Sequence, residues 1–181
     1  AGCSKHSVAQ YVLTAVFTLC PQYWQQSASL TLGIIGLGNI GSTLAQYAYD
    51  LGWQVLGYDP LLPASKTNNA SLEQVLSQSD VVSLHVPLTN EKNATNPKGS
   101  DYPTRHLINA AALAMMPADT ILINSARGPV IEESALEADI ECTGRQVVLD
   151  VFEHEPEVAV SLLSKLAIAT PHIAGYTLEG K

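Results

Sequence analysis

Cysteine is scarce in this 181-residue chain, and the three present, Cys3, Cys20 and Cys142, are odd in number and share no metal-ligand spacing. Neither a disulfide framework nor a zinc or other metal site is expected, and a reducing cytoplasm is the natural compartment. Basic residues are few as well: nine Lys and Arg face seventeen Asp and Glu, giving a formal charge of −8, and the nine are scattered between Lys5 and Lys181. Nucleic acid and acidic membrane surfaces are therefore excluded as expected partners. Long apolar runs are missing too. The best candidate, residues 8–20, is interrupted by Gln10, Thr14 and Thr18 and is followed by no small-residue cleavage site, so it reads as neither a membrane span nor a secretory leader. Repeats and low-complexity tracts are absent, and the sequons at Asn69 and Asn93 read as chance in an intracellular chain.

What the sequence does contain is apolar material: 46 % hydrophobic residues, enough for one sizeable core in a chain of this length. Val8, Tyr11, Val12, Ala15, Val16 and Leu19 fall on one stripe of a helix beginning near Ser4, and Leu13 and Phe17 widen that stripe. A helix apolar over so much of its girth is expected to lie between two bodies of protein. Residues 21–29, rich in Gln and Ser, read as the connection into the main domain. From residue 31 onward short apolar runs at 31–35, 53–57, 81–85, 120–124, 146–150 and 166–170 alternate with helical patterns at 39–51, 71–78, 109–116 and 132–140. Ser71 and Gln74 stand at capping-box spacing. Such alternation predicts parallel pairing with right-handed crossovers, hence a doubly wound, Rossmann-type α/β sheet. Residues 89–104 are polar, carry Pro97, Gly99 and Pro103, and read as a mobile surface insertion.

Gly36-Leu37-Gly38-Asn39-Ile40-Gly41 forms G-x-G-x-x-G directly after the first predicted strand and at the start of a helix. Gly36 permits the tight turn, Gly38 lets backbone approach a diphosphate, and Gly41 lets the helix pack on the sheet. The helix N-terminal amides then face the phosphates. A glycine-rich turn without ligand is the plain alternative, but the strand before, the helix after and an acid downstream supply the context a dinucleotide site requires. That acid is Asp59, eighteen residues beyond Gly41, at the end of the second predicted strand. Its carboxylate can accept ribose hydroxyls and repels a 2′-phosphate, and no cation follows before Lys66, so NAD is favoured over NADP. An ordinary Asp-Pro turn is the alternative for Asp59-Pro60. A methyltransferase would want an acid where Ile34 and Ile35 stand; the motif alone does not separate NAD from a flavin dinucleotide.

All strands of an open parallel sheet end on one edge, where ligands bind. The segments that follow the last three strands contain Asn124-Ser125-Ala126-Arg127-Gly128, then Asp150 through Glu155-Pro156, then Thr170-Pro171-His172. Arg127 suits a bidentate fork for a carboxylate, His172 suits proton exchange near neutral pH, and Glu155 suits the partner that steadies its ring. Each taken singly also reads as an ordinary surface or capping residue. His154 competes as proton carrier on spacing alone; His6 and His106 carry no spatial argument, and His85, ending a strand, reads as structural.

With these residues in place, the chain resembles the NAD-binding domain of the D-isomer-specific 2-hydroxyacid dehydrogenases over nearly its whole length. The glycine motif, Leu84-His85-Val86-Pro87-Leu88-Thr89, residues 124–128, residues 149–156 and Thr170-Pro171-His172 stand in the family's order. The resemblance implies NAD-dependent oxidation of a small phosphorylated 2-hydroxy acid, with Arg127 and Glu155 catalytic and His172 as acid/base. It further implies cofactor contacts from Asn39, Ile40, Asp59, Thr89, Ser125, Ala126, Arg127, Asp150 and Gly175, with Tyr176 facing the substrate beside Arg127. A phosphoglycerate dehydrogenase or hydroxypyruvate reductase is the alternative within the family, and an NAD-sensing interaction module the alternative outside enzymes. Residues 90–104 depart from the shorter family connection. The implied plan makes 1–28 an interdomain helix and linker, 29–175 the NAD-binding domain and 176–181 the start of a return to a substrate domain. On that plan the chain is one domain of a normally two- or three-domain enzyme, homodimeric at full length, and by itself should bind NAD weakly and turn over little.

Overall fold

Buried runs of Val, Ile and Leu pair side by side into one sheet, because neither face of such a strand can be left to water. The computed structural model describes residues 4–24, 29–63, 69–93 and 95–176. Lys66, part of the expected linker and the segment 177–181 lie outside the described residues. The strands are β1 (Thr31–Ile35), β2 (Gln54–Tyr58), β3 (Val81–Leu84), β4 (Ile121–Asn124), β5 (Val147–Leu149) and β6 (Ile168–Ala169). All neighbours are parallel, in the order β2-β1-β3-β4-β5-β6. The order reverses direction about β1, which creates the crevice characteristic of doubly wound sheets. The Rossmann-type α/β expectation holds.

Among the described residues six α-helices flank the sheet: α1 (Lys5–Leu19), α2 (Asn39–Asp50), α3 (Leu72–Gln78), α4 (Ala110–Met115), α5 (Glu133–Thr143) and α6 (Val160–Leu163). Alternate strand residues serve opposite faces. Leu32, Ile34, Ile121 and Ile123 pack with Val12 and Val16 of α1 and Leu44 and Ala48 of α2. Ile35, Leu84 and Leu122 pack on the other face with Val75, Leu113, Leu136 and Leu162 of α3 to α6. On α1, one face is buried through Val8, Ala9, Val12, Ala15 and Val16, while Leu13 and Phe17 of the wider stripe are only half covered.

The capping box expected at Ser71 is present: Gln74 N donates to Ser71 Oγ at 3.1 Å and Ser71 N to Gln74 Oε1 at 2.9 Å. Elsewhere the boundaries shift. β5 and β6 are shorter than the expected 146–150 and 166–170; just past them Asp150 N still donates to Asn124 O and Thr170 N to Leu149 O, while their side chains tie two loops together. α5 runs past Ile140 to Thr143 and stops where Gly144 adopts a left-handed φ of 72°. α6, a single turn, is too short to leave a periodic signal. The 89–104 insertion, expected to be mobile, is tied down at its base: Thr104 Oγ1 donates to Pro87 O at 2.5 Å and accepts from Thr89 N at 2.8 Å. Among the described residues, no helix is long and apolar enough to cross a membrane, and no three His, Cys, Asp or Glu side chains gather as a metal site.

Candidate active site

Register decides which residues meet. Ile35 pairs with Tyr58 and with Leu84, Leu84 with Asn124, Asn124 with Leu149, and Leu149 with Ala169. The six strands therefore finish level, and the residues that follow, Gly36, Asp59, His85, Ser125, Asp150 and Thr170, share one edge. Gly36 has φ 95° and donates to Tyr58 O at 2.8 Å. A Cβ at Gly41 would lie 1.9 Å from Gly36 O, so only glycine lets α2 start this close to the turn. Gly38 is the opposite case. A Cβ there would meet nothing within 4 Å, and as the α2 N-cap it offers no side-chain cap, leaving the first-turn amides, Asn39, Ile40 and Gly41 among them, free to receive an anion.

Asp59 is held by the same turn: Leu37 N donates to one carboxylate oxygen and Leu61 N to the other, each at 3.0 Å. Both oxygens keep lone pairs for ribose hydroxyls. Beside them a cavity of about 270 Å³ is lined by Gly36, Gly38, Asp59, His85, Pro87 and Thr89 among others. On the other side of the crevice Ser125 Oγ is buried with no hydrogen-bond partner among the described residues. An open glycine, free helix amides, an anchored acid and an orphaned hydroxyl fit a dinucleotide laid along the edge. Residues 36–41, Asp59 and Ser125 would hold it.

Beyond β4 the rim is built by side chains. Asn124, fully buried, accepts from Ala126 N at 3.0 Å and donates through Nδ2 to Arg127 O at 2.9 Å, shaping the turn that lifts Arg127 into solvent. Arg127 Nη1 donates to Ala126 O at 2.6 Å, and among the described residues the other guanidinium donors are open. A Cβ on Gly128 would lie 1.8 Å from Phe152 O, so this glycine lets the turns after β4 and β5 touch. Phe152 N in turn donates to Glu155 Oε1 at 2.7 Å, and Glu155 Oε2 lies 3.8 Å from His172 Nδ1. A cavity of about 430 Å³ opens beside that pair, between Phe152, Pro156, Thr170 and Pro171.

His172 sits at φ 56°, a conformation uncommon for a non-glycine residue, and its neighbours explain how it is held. Asp150, 1 % exposed, accepts from Thr170 Oγ1 at 2.6 Å, Ile173 N at 2.8 Å and Ala174 N at 2.9 Å, while its carbonyl accepts from His172 N. The Thr170 proton goes to that carboxylate, so Tyr11 of α1 donates to Thr170 Oγ1 at 2.6 Å, and Ser7 donates to Ala174 O. Burial pushes the Tyr11 hydroxyl pKa up, which keeps it a donor. Sequence reasoning missed this role of α1, because its contacts lie more than 150 residues away. The resemblance implies Asp150 as a cofactor contact; its carboxylate also holds the 170–174 turn. Gly175 sits against Ser4, and Tyr176 is 76 % exposed.

Burial lowers the His85 pKa to about 4, so the ring, near Ser83 Oγ, is neutral at physiological pH, in keeping with a structural role. His106, which carried no expectation, donates to Glu153 at 2.5 Å, while Glu153 and Glu133 exchange bonds with each other's backbone amides. Burial pushes Glu133 up; Glu153, also raised by burial, ends below the usual range through His106 and the Glu133 amide. Arg105, whose guanidinium is 3.7 Å from Glu153, adds a second cation near this edge. It is His172, not His154, that faces Glu155.

Residues 20–174 match the D-isomer specific 2-hydroxyacid dehydrogenase, NAD binding domain. The chain belongs to that family. The cofactor of this 2-hydroxyacid dehydrogenase domain is NAD. It is 73 % identical over 191 residues to the erythronate-4-phosphate dehydrogenase of Psychrobacter cryohalolentis, covering all of this chain and 50 % of the relative. It is 75 % identical over 189 residues to that of Psychrobacter arcticus, covering 99 % of this chain and 50 % of the relative. The chain thus spans about half the length of these curated relatives. Among solved structures, D-lactate dehydrogenase from Aquifex aeolicus, complexed with NAD and lactic acid, superposes with TM-score 0.76 at 30 % identity over 98 % of this chain and 62 % of that one. The apo D-mandelate dehydrogenase of Rhodotorula graminis gives TM-score 0.78 at 27 % identity over 99 % and 59 %.

Proposed function

We propose that this chain is the cofactor half of an NAD-dependent oxidoreductase that oxidises 4-phospho-D-erythronate to its 2-oxo acid, a cytoplasmic step toward pyridoxal phosphate (vitamin B6). The observation that carries the reading is the approach of Glu155 Oε2 to His172 Nδ1 at 3.8 Å, on the edge that also holds Arg127 and the glycine turn. The choice of substrate is supported by relatives of that name at 73 and 75 % identity. Residues 29–175 act as the NAD-binding unit, and 1–28 link it to a substrate-binding domain within a homodimer.

Bound NAD supplies a hydride acceptor. The open guanidinium donors of Arg127 hold the substrate carboxylate and polarise the oxygen at C2. With Nδ1 turned to Glu155, His172 presents Nε2 to the C2 hydroxyl and takes its proton. The Glu155 carboxylate steadies the ring and favours the imidazolium that results. Tyr176 borders the substrate. In the full-length protein, His172→Ala is expected to lower turnover of 4-phosphoerythronate by roughly a thousandfold or more. The Kd for NAD should stay within about twofold, since the variant removes no cradle group. Turnover close to wild type would sink the assignment.

A further inference from the structure

The cavity beside Asp59 has an outer wall that the glycine turn does not supply. Ser100, Tyr102 and Thr104 of the insertion line the same space as Gly36, Gly38 and Asp59. This wall is anchored: Thr104 Oγ1 bridges Pro87 O and Thr89 N, Thr104 N donates to Thr89 Oγ1 at 3.1 Å, and Ser100 N donates to Asn90 O at 2.8 Å. The Ser100 and Thr104 hydroxyls are already engaged. Ser100 Oγ both donates to Tyr102 O at 2.9 Å and accepts from Tyr102 N at 3.0 Å, and Thr104 Oγ1 donates to Pro87 O, accepts from Thr89 N and lies 3.2 Å from Thr89 Oγ1. What this wall offers a flat ligand is the Tyr102 ring, half exposed.

We infer that residues 100–104 form the outer wall of the adenosine pocket and that Tyr102 is a cofactor-affinity residue, packing its ring on the adenine of NAD. The inference rests on the cofactor reading and deepens it. Asp59 fixes the ribose, so the base attached to that ribose falls within the 270 Å³ cavity between the Pro87–Thr89 side and the insertion. A wall that offers a ring, with its Ser100 and Thr104 hydroxyls satisfied, recognises a flat base by stacking. The backbone of Tyr102, not its ring, makes the Ser100 turn, so the ring can be removed without unmaking the wall.

The test is calorimetric titration of the full-length protein with NAD, ADP-ribose and AMP, for wild type, Tyr102→Ala and Tyr102→Phe. Tyr102→Ala should weaken all three ligands alike, by roughly tenfold, as expected for loss of one base-aromatic stack. Tyr102→Phe, which keeps the ring, should stay within about twofold of wild type. Unchanged ADP-ribose binding by Tyr102→Ala, or an equal loss in Tyr102→Phe, overturns the inference while leaving the cofactor reading intact. A wild-type protein that binds neither NAD nor ADP-ribose overturns both.

Discussion

Around β1 and β2 the site is made of backbone, whereas beyond β4, β5 and β6 it is made of side chains. In the first region a turn at positive φ, a helix start without a cap and one acid do the work, and all lie between Gly36 and Leu61. In the second, Asn124, Asp150, Glu155 and Thr170 hold Arg127 and His172 in place through bonds that join three loops and α1. Each region has a glycine that tolerates almost no added atom, Gly41 in the first and Gly128 in the second. The second region can lose an atom and keep its fold, but at the expense of aim.

The sharpest way to break this contrast is to add a methyl group in the first region. Gly41→Ala places a Cβ 1.9 Å from a backbone carbonyl that cannot give way. We expect a loss of more than about 4 kcal/mol in urea unfolding, with NAD binding abolished. Gly38→Ala, where space is open, should leave the fold within about 1 kcal/mol of wild type. It should still weaken NAD by roughly tenfold or more, because the methyl stands in the diphosphate's place. Equal stability losses in the two variants would contradict the crowding described at Gly41.

In the second region Asp150→Ala removes the acceptor for Thr170 Oγ1, Ile173 N and Ala174 N together. An expected cost of about 3 kcal/mol follows from leaving buried donors unpaired. Hydrogen exchange at Ile173 and Ala174 should accelerate well before global unfolding. Protection unchanged at those two amides would show that the turn does not depend on the carboxylate.

The most conditional effect is confined to acid and absent at neutral pH. The folded chain holds the His85 pKa near 4, below its ordinary value of 6.5. The unfolded chain therefore binds more protons between those limits, and stability falls as pH drops through that window. His85→Gln should flatten this acid limb, the difference from wild type growing to about 3 kcal/mol by pH 4 and vanishing at pH 7. Parallel stability curves for the two proteins would show that the ring titrates freely in the folded state.

The same contrast explains what could be read from the residues in order. The glycine turn, the strand before it, α2 and Asp59 are local, so their spacing announces them. Arg127, Glu155 and His172 could be nominated because parallel strands must end on one edge, but their mutual distances could not. The tether from Tyr11 through Thr170 to Asp150 left no trace in any pattern, since its members are separated by up to 159 residues and each is an ordinary residue in its own segment. His106 and Glu153 escaped notice for the same reason. The insertion's polarity placed it on the surface, yet its Thr89–Thr104 clasp turns it toward the cavity.

Hydrophobic period and glycine spacing were sufficient to specify the strands, the helices other than α6, their parallel pairing and the phosphate turn, because each follows from covalent geometry and burial within a short stretch of chain. Which side chains face one another across the crevice, and which threonine or tyrosine steadies them, emerged only when the sheet brought distant loops level, because hydrogen bonds reach about 3 Å and take no account of sequence separation.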